Sequence, residues 1–141
     1  MTLDLDPNFL EPHLYLGWIY EQKGMLPQAI EELQLALSLS GGHPRFLGSL
    51  GHAYAISGQL RMAEETLVRL KEQSKQRYVA PYDFAVIYAG LKDRDQTWKY
   101  LEMAYEDHSY AIILLRADPR FAHLRSDPRY EDLLRRMHLV R

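Results

Sequence analysis

The sequence repeats itself with a step of 34 residues, and this period constrains the fold more than any other feature. Gly17 and Gly51 lie one step apart, and the next step falls on Ala85. A fixed period of this length is the signature of a chain built from stacked copies of one supersecondary unit. Five further columns keep the same register over three units without an insertion: Leu16, Leu50 and Phe84; Tyr20, Tyr54 and Tyr88; Ala29, Ala63 and Thr97; Leu33, Leu67 and Leu101; and Ala36, Leu70 and Ala104.

Each unit contains two apolar patterns with helical spacing. The first is Leu-Gly-x-x-Tyr, as at residues 16–20, and the second is Ala-x-x-x-Leu-x-x-Ala, as at residues 29–36. Spacings of three and four place these residues on one face of a helix. Gly24 and Gly58 stand between the two patterns, where a helix that ends in a left-handed residue favours glycine. The repeat therefore predicts helical hairpins that begin near residues 10, 44 and 79, and no sheet.

These columns resemble the tetratricopeptide repeat over roughly residues 10–108. The chain departs from the family pattern in the tryptophan column, which holds His13, Leu47 and Pro81. The third unit departs further, because alanine and threonine replace the family's glycine and alanine. The resemblance implies an all-α fold, in which three tetratricopeptide helix–turn–helix hairpins form a right-handed superhelical stack with C-terminal capping helices.

We interpret residues 1–141 as a single tetratricopeptide-like domain. Its parts are the tail of a preceding repeat at 1–8, repeat 1 at 10–43, repeat 2 at 44–77, repeat 3 at 78–109 and the capping helices at 110–141. The first part is assigned because Pro7 lies 34 residues before Gly41, as the closing proline of an earlier unit would. The chain is therefore expected to be the C-terminal fragment of an array in a larger bacterial protein.

Two similar segments follow the repeats nine residues apart, Asp118-Pro119-Arg120-Phe121 and Asp127-Pro128-Arg129-Tyr130. Aspartate followed by proline predicts a helix start, because the carboxylate caps free amides and proline fits the first helical position. Acids interrupt the basic residues of the tail, which are therefore expected to form a solvated helix surface: Arg116, Arg120, Arg125, Arg129, Arg135, Arg136 and Arg141. The second helix, over residues 128–137, is expected to direct its arginines outward, as the end of an array requires. Its inward residues are Tyr130, Leu133, Leu134 and Met137. This tail resembles the ends of repeat arrays in some bacterial regulatory proteins.

Composition and charge exclude several classes of function. With a net charge of −2, the chain has no basic footprint for nucleic acid. It has no cysteine, which removes disulfides, thiolate zinc sites and cysteine nucleophiles. The longest apolar run, residues 110–115, is too short for a membrane span, and the N-terminal residues lack the pattern of a signal peptide. These features predict a cytoplasmic protein that binds neither nucleic acid nor membrane.

No catalytic constellation is evident in the sequence. None of the six histidines belongs to an HExxH pattern, so surface or packing roles are predicted for them. The paired acids at 31–32 and 64–65 fall on second helices, where adjacent side chains point about 100° apart and are expected to be solvated. The sequence therefore predicts a protein that is not an enzyme and needs no metal or cofactor.

The tetratricopeptide resemblance implies that the first helix of each hairpin lines a concave, peptide-binding groove. The groove is expected to be aromatic and apolar at its centre, with Gly48 leaving room for an inserted side chain. The carboxylate clamp that some members use is absent, because apolar or acidic side chains hold several of its columns. An alternative for Trp18 is simple packing on the next helix. The candidate groove residues are Leu14, Tyr15, Trp18, Gln22, Arg45, Ser49, His52, Val79, Tyr82, Asp83 and Val86.

The leading functional hypothesis is a non-catalytic scaffold that binds a peptide or helix of another protein in this groove. The alternative is a self-association module of a larger regulatory protein. In that case a homodimer would form through the N-terminal hairpin, whose apolar face would be bare. Phe9, Leu10 and Leu14 are the candidate self-association residues, unless residues 1–8 fold back over them. An enzyme or a nucleic-acid-binding protein is the least favoured reading.

Overall fold

A computed structural model describes residues 7–107 and 115–137, although in the first helix the side chains of residues 7–12 and 14–15 are not described. Within these ranges every regular element is a helix, which confirms the predicted all-α class. The α helices are α1 (Pro7–Gln22), α2 (Leu26–Leu39), α3 (Pro44–Ile56), α4 (Leu60–Ser74), α5 (Pro81–Leu91), α6 (Arg94–Glu106) and α7 (Pro128–Arg136). A 3₁₀ helix, Pro119–Leu124, precedes α7.

Short turns join α1 to α2, α3 to α4 and α5 to α6, and the two helices of each pair pack against each other. Two helices joined by so short a turn pack antiparallel, as in a hairpin. Gly24 and Gly58 have φ angles of 75° and 84°, so both predicted glycines occupy left-handed positions. The third turn uses Lys92 instead, with φ at 61°. Proline occupies the first turn of α3 and of α5, where its missing amide proton costs nothing.

The two glycines of the 34-residue column lie where neighbouring helices approach each other closely. A Cβ atom added to Gly17 would lie 2.8 Å from Leu33 Cγ, across the α1–α2 contact. A Cβ atom on Gly51 would lie 2.8 Å from the Ile87 side chain on α5 and would also collide with Thr66 on α4. Real Cβ contacts of that length essentially do not occur, so a larger residue at either position would force the neighbouring side chains to shift. The predicted close approach of backbones at small residues is therefore confirmed here.

Two apolar clusters form the core. One cluster joins α2, α3 and α4 to one side of α5, with Leu33, Leu47 and Leu70 completely buried. The other cluster joins the opposite side of α5 to α6, the 3₁₀ helix and α7. Tyr130, Leu133 and Leu134 of α7 are buried in it, and Met137 packs against it, as predicted. The C-terminal elements therefore cover the third hairpin, with α5 in contact with both clusters.

The helix starts predicted at the two aspartate–proline steps are confirmed. The Asp118 carboxylate accepts a hydrogen bond from the amide of Arg120 at 3.0 Å, and the Asp127 carboxylate accepts one from the amide of Arg129 at 2.9 Å. The first step begins the six-residue 3₁₀ helix and the second begins α7.

In the part of the chain that the structure describes, no helix is both long and apolar enough to cross a membrane.

Candidate binding surface

The predicted groove residues of α3 and α5 are mostly buried. Ser49 and His52 on α3, Tyr82 and Val86 on α5, and Val79 just before α5 have 9% or less of their surface exposed. Arg45, Asp83 and Trp18 are half-buried, and Gln22 is exposed. The side chains of Leu14 and Tyr15 lie outside the described part of the structure. We call the side of α1, α3 and α5 that carries Trp18, Ser49, His52, Tyr82 and Val86 the first-helix surface.

The C-terminal segment of the chain itself covers this surface. The Phe121 side chain is completely buried, and its ring centroid lies 5.3 Å from that of Tyr82. The Tyr82 hydroxyl donates a hydrogen bond of 2.7 Å to Asp118 Oδ2. Burial, the first cause, and the Asp118 charge raise the pKa of Tyr82 well above its ordinary value, so the hydroxyl keeps its proton. Residues 115–124 therefore occupy the part of the surface that α5 provides.

Arg120 of this segment also enters the first-helix surface and reaches α3. Its Nη1 donates to Ser49 Oγ at 3.1 Å, and its Nε and Nη2 donate to the Asp118 carboxylate at 2.9 and 2.8 Å. The guanidinium carbon lies 4.6 Å from the centroid of the Trp18 ring, which is a cation–π distance. We call the pocket formed by Trp18, Ser49 and Asp118 around this guanidinium the arginine site.

The burial of Arg120, which is only 9% exposed, contradicts the prediction that the tail arginines form a solvated surface. The prediction is wrong for Arg120 because a carboxylate, a hydroxyl and a ring face together replace the water that the guanidinium loses. Burial lowers the pKa of Arg120, but attraction to Asp118 outweighs it and the net pKa is raised. Burial likewise raises the pKa of Asp118, and Arg120 outweighs it so that the carboxyl is ionised.

Two further carboxylates surround the arginine site. Glu21 on α1 attracts Arg120 and also approaches His52 on α3, with Oε1 2.7 Å from Nδ1. Burial raises the pKa of Asp83 to about 6, although Arg120 and Arg45 act in the opposite direction. The body of the protein therefore offers an aromatic ring and acidic side chains at this place, even apart from the acid that the tail itself contributes.

The second aspartate–proline–arginine segment forms a similar arrangement on the surface of α6. Arg129 Nη2 donates to Asp127 Oδ2 at 2.9 Å, and the guanidinium carbon lies 5.3 Å from the Trp98 ring centroid. Trp98 Nε1 also donates to Asp127, at 3.2 Å. The hydrogen bonds from Arg129 lower the pKa of Asp127 to about 2. Both tryptophans of the chain thus hold an arginine of the tail, but the Arg129 side chain remains 48% exposed.

The space beside Gly48 is already filled, which corrects the expectation that it admits an inserted side chain. A Cβ atom on Gly48 would lie 2.9 Å from the backbone oxygen of Asp83. Gly48 therefore allows α3 and α5 to pack closely. Sequence reasoning also missed Glu21, Asp118, Arg120 and Phe121 as parts of this surface. The repeated aspartate–proline–arginine–aromatic pattern was a signal that marked Asp118, Arg120 and Phe121 as a unit, whereas no signal marked Glu21 or the surface that the unit covers.

Other candidate chemistry is dispersed over the molecule. His13 Nδ1 lies 2.6 Å from Glu32 Oε2, so this acid bridges α1 and α2 and is not simply solvated as predicted. His43 accepts a hydrogen bond from the Arg45 amide at 3.1 Å and caps α3. Glu31, Glu64 and Glu65 are exposed, in agreement with the prediction for those three. His108 and His138 lie outside the described residues. Within residues 7–107 and 115–137, no cluster of three acids or histidines could hold a metal ion.

Comparisons of the chain with protein-family models, with curated proteins and with solved structures give no match. The resemblance to tetratricopeptide repeats therefore rests on the 34-residue columns of the sequence.

Proposed function

We propose that this protein is a non-catalytic interaction module, a tetratricopeptide-type scaffold that binds a segment of another protein along its first-helix surface. One observation carries the proposal. This surface already holds a polypeptide segment, residues 115–124, through a buried ring contact, two hydrogen bonds and a stacked guanidinium. Aromatic and arginine contacts of this kind dominate the energy of protein interfaces. A surface with these properties is suited to bind another polypeptide.

The repeat architecture supports the same proposal. The three hairpins follow each other in the 34-residue register, α2 packs on α3, and α3 packs on α5. Hairpins that stack in this order bury a continuous core and leave first helices side by side. We propose that they form the right-handed superhelical stack of tetratricopeptide arrays, closed by the C-terminal helices. By the same resemblance, we propose that the module belongs to a larger cytoplasmic protein of bacteria.

A peptide-selection experiment tests the proposal. Peptides are selected from a random library against the whole chain, and hydrogen exchange then locates the amides that each peptide protects. We expect protection in α1, α3 and α5, with α2 and α4 unaffected. Peptides that protect only α2 and α4, or a selection that enriches no peptide, would show that the first-helix surface is not a binding surface.

The two tryptophans supply a matched pair of variants for that experiment. Trp18→Leu should weaken binding of a selected peptide by about tenfold, because it removes an aromatic side chain from the first-helix surface. Trp98→Leu changes the same residue type on α6 and should leave the affinity unchanged. Circular dichroism of both variants shows whether the helices are retained. Equal affinities of the two variants would contradict the proposal.

Self-association is the second candidate function, and one observation favours it. Leu16 and Ile19 on α1 are 37% and 47% exposed, whereas the residues one repeat later, Leu50 and Ala53, are 3% and 0% exposed. In the second hairpin α2 covers this face, as shown by the Gln34 side chain, which donates to the Tyr54 hydroxyl at 2.8 Å. The predicted residues Phe9, Leu10 and Leu14 lie on the same helix, but their side chains are outside the described part.

A further inference from the structure

We infer that the arginine site is a recognition site for a partner segment with the sequence Asp-Pro-Arg followed by an aromatic residue. The chain's own Asp118–Phe121 segment is then an internal competitor for the same site. The inference rests on the proposed function and specifies the partner's chemistry. Its first support is the construction of the site, which combines a ring face, a hydroxyl and acids around one guanidinium.

Acidic side chains of the hairpins favour a cation at this site. Glu21 and Asp83 both attract the guanidinium of Arg120, and both belong to the hairpins and not to the tail. If Arg120 leaves, these acids and the Trp18 ring face lose the cation that they share. A second arginine would restore all of these contacts. Lysine would not, because a compact ammonium group can neither form the planar fork nor lie flat on the ring.

The Asp-Pro-Arg segment is a unit that organises itself. In both copies the aspartate caps the amide two residues later and binds the guanidinium of the same arginine through Nε and Nη2. The copy at residues 127–129 keeps this geometry although Arg129 is half exposed. The internal fork therefore does not depend on burial in the arginine site. A free segment with the same sequence can present the guanidinium already oriented, which reduces the entropy lost on binding.

The aromatic residue after the arginine is the third feature that the partner segment needs. Phe121 is buried against Tyr82, and the Tyr82 hydroxyl donates to Asp118. These two contacts fix the segment on α5, while Trp18 and Ser49 fix the arginine on α1 and α3. A partner segment therefore needs all three features, the aspartate, the arginine and the aromatic ring, to match the contacts of the internal segment.

The experiment uses the whole chain and an acetylated peptide of sequence Asp-Pro-Arg-Phe-Ala-His-Leu. Binding is followed by the nuclear magnetic resonance signals of the two tryptophan indole N–H groups. The Trp98 signal reports whether the peptide also displaces the second copy of the motif, which Trp98 holds. In the wild-type chain we expect the Trp18 signal to shift at peptide concentrations of about 1 mM or below, with the Trp98 signal unchanged. Arg120→Ala removes the guanidinium of the internal competitor and so weakens it, and the variant should bind the peptide about tenfold more tightly or better. A matched peptide with lysine in place of arginine should bind that variant at least about tenfold more weakly.

Several results would overturn the inference. A wild-type Trp18 signal that does not respond to the arginine peptide would show that the internal segment is a permanent part of the fold. Equal binding of the lysine peptide would show that the site does not recognise arginine. A Trp18 signal that moves with chain concentration and not with peptide would identify a second copy of the chain as the occupant. If Arg120→Ala does not fold, Arg120→Lys replaces it, and the wild-type measurement stands by itself.

The same data separate this inference from the proposed function. If the arginine peptide fails while library-selected peptides still protect α1, α3 and α5, the module binds other segments and only the arginine inference falls. If neither kind of peptide binds the first-helix surface, the proposed function falls as well.

Discussion

At the scale of single residues, Arg120 determines how the tail meets the repeats. A buried guanidinium is stable only when its donors and its charge are matched. Three groups match it here: Asp118 accepts two of its hydrogen bonds, Ser49 accepts a third, and Trp18 contacts its face. Removing the arginine leaves the buried Asp118 without its counter-charge and takes from Glu21 and Asp83 the cation that attracts them.

The two arginines of the tail motif give a matched test of this argument. Arg120→Ala should lower the free energy of unfolding by about 3 kcal/mol, because it leaves an uncompensated buried charge. Arg129→Ala removes the same residue from the same motif, but at a half-exposed position, and should cost much less. Urea denaturation of the two variants and the wild type measures both losses. Equal losses would show that burial of Arg120 adds nothing to stability.

Asp83 predicts a specific dependence of stability on pH. Burial raises its pKa to about 6 from an ordinary value of 3.8, so the folded state binds its proton more tightly than the unfolded state does. The contribution of Asp83 to stability therefore decreases as the pH rises from 3.8 to 6 and is constant above that range. Asp83→Asn removes this titration. The variant should gain melting temperature relative to wild type across that window and keep the gain at pH 8.

Melting temperatures by circular dichroism between pH 4 and 8 check this prediction. Asp95→Asn is the control, because the side chain of Asp95 is 95% exposed. Its difference from wild type should be flat over the same range. A gain for Asp83→Asn that shrinks with rising pH would mean that Arg45 and Arg120 stabilise the charged carboxylate more than burial opposes it.

At the scale of elements, the hairpins were predictable because their signals are local. Spacings of three and four, together with glycine past the helix end, placed helix starts near 10, 44 and 79, and the helices begin at Pro7, Pro44 and Pro81. The covering of the first-helix surface by the tail could not be predicted in this way. It depends on contacts such as Arg120 to Ser49, which are 71 residues apart in the chain. No local pattern encodes the relative position of such a pair.

The turn after each first helix provides the prediction at this scale. Gly24, Gly58 and Lys92 occupy one column of the repeat, and all three have positive φ angles. A left-handed backbone costs a residue with a Cβ atom about 1 kcal/mol relative to glycine. Lys92→Gly should therefore stabilise the protein by about that amount, provided that the φ of 61° is retained. Gly58→Lys is the inverse change in the equivalent turn and should destabilise it by a similar amount.

Thermal unfolding of both variants shows whether Lys92→Gly raises the melting temperature and Gly58→Lys lowers it. No atom lies within 4 Å of a Cβ atom added to Gly58, so strain in the backbone and not a steric clash decides the outcome. If both substitutions changed stability in the same direction, the side chain at this column would be acting through contacts and not through its φ angle.

At the scale of the whole molecule, equivalent positions of the three hairpins differ greatly in how far they are exposed to solvent. The Leu16 column is 37% exposed in the first hairpin, but 3% and 6% in the second and third, at Leu50 and Phe84. In the second hairpin α2 covers this face, whereas no described element covers it to the same degree in the first hairpin. The sequence predicted a bare apolar face on the first hairpin at Phe9, Leu10 and Leu14. The side chains of these residues are not described, so that assignment stays a prediction.

The exposed face of α1 therefore predicts dimer formation through the first hairpin. Two copies that bring Leu16 and Ile19 together would bury apolar surface whose equivalent in the second and third hairpins is already buried within one chain.

Ile19→Glu places a charge in that contact and should weaken the dimer by about tenfold or more, because an unpaired charge is costly at an apolar interface. Val68→Glu is the matched control, since Val68 on α4 is 58% exposed and lies away from this face. Sedimentation equilibrium over a range of chain concentrations gives the dissociation constant of each variant. A wild-type chain that remains monomeric at the highest concentration, or an equal loss in both variants, would exclude the first hairpin as an assembly surface.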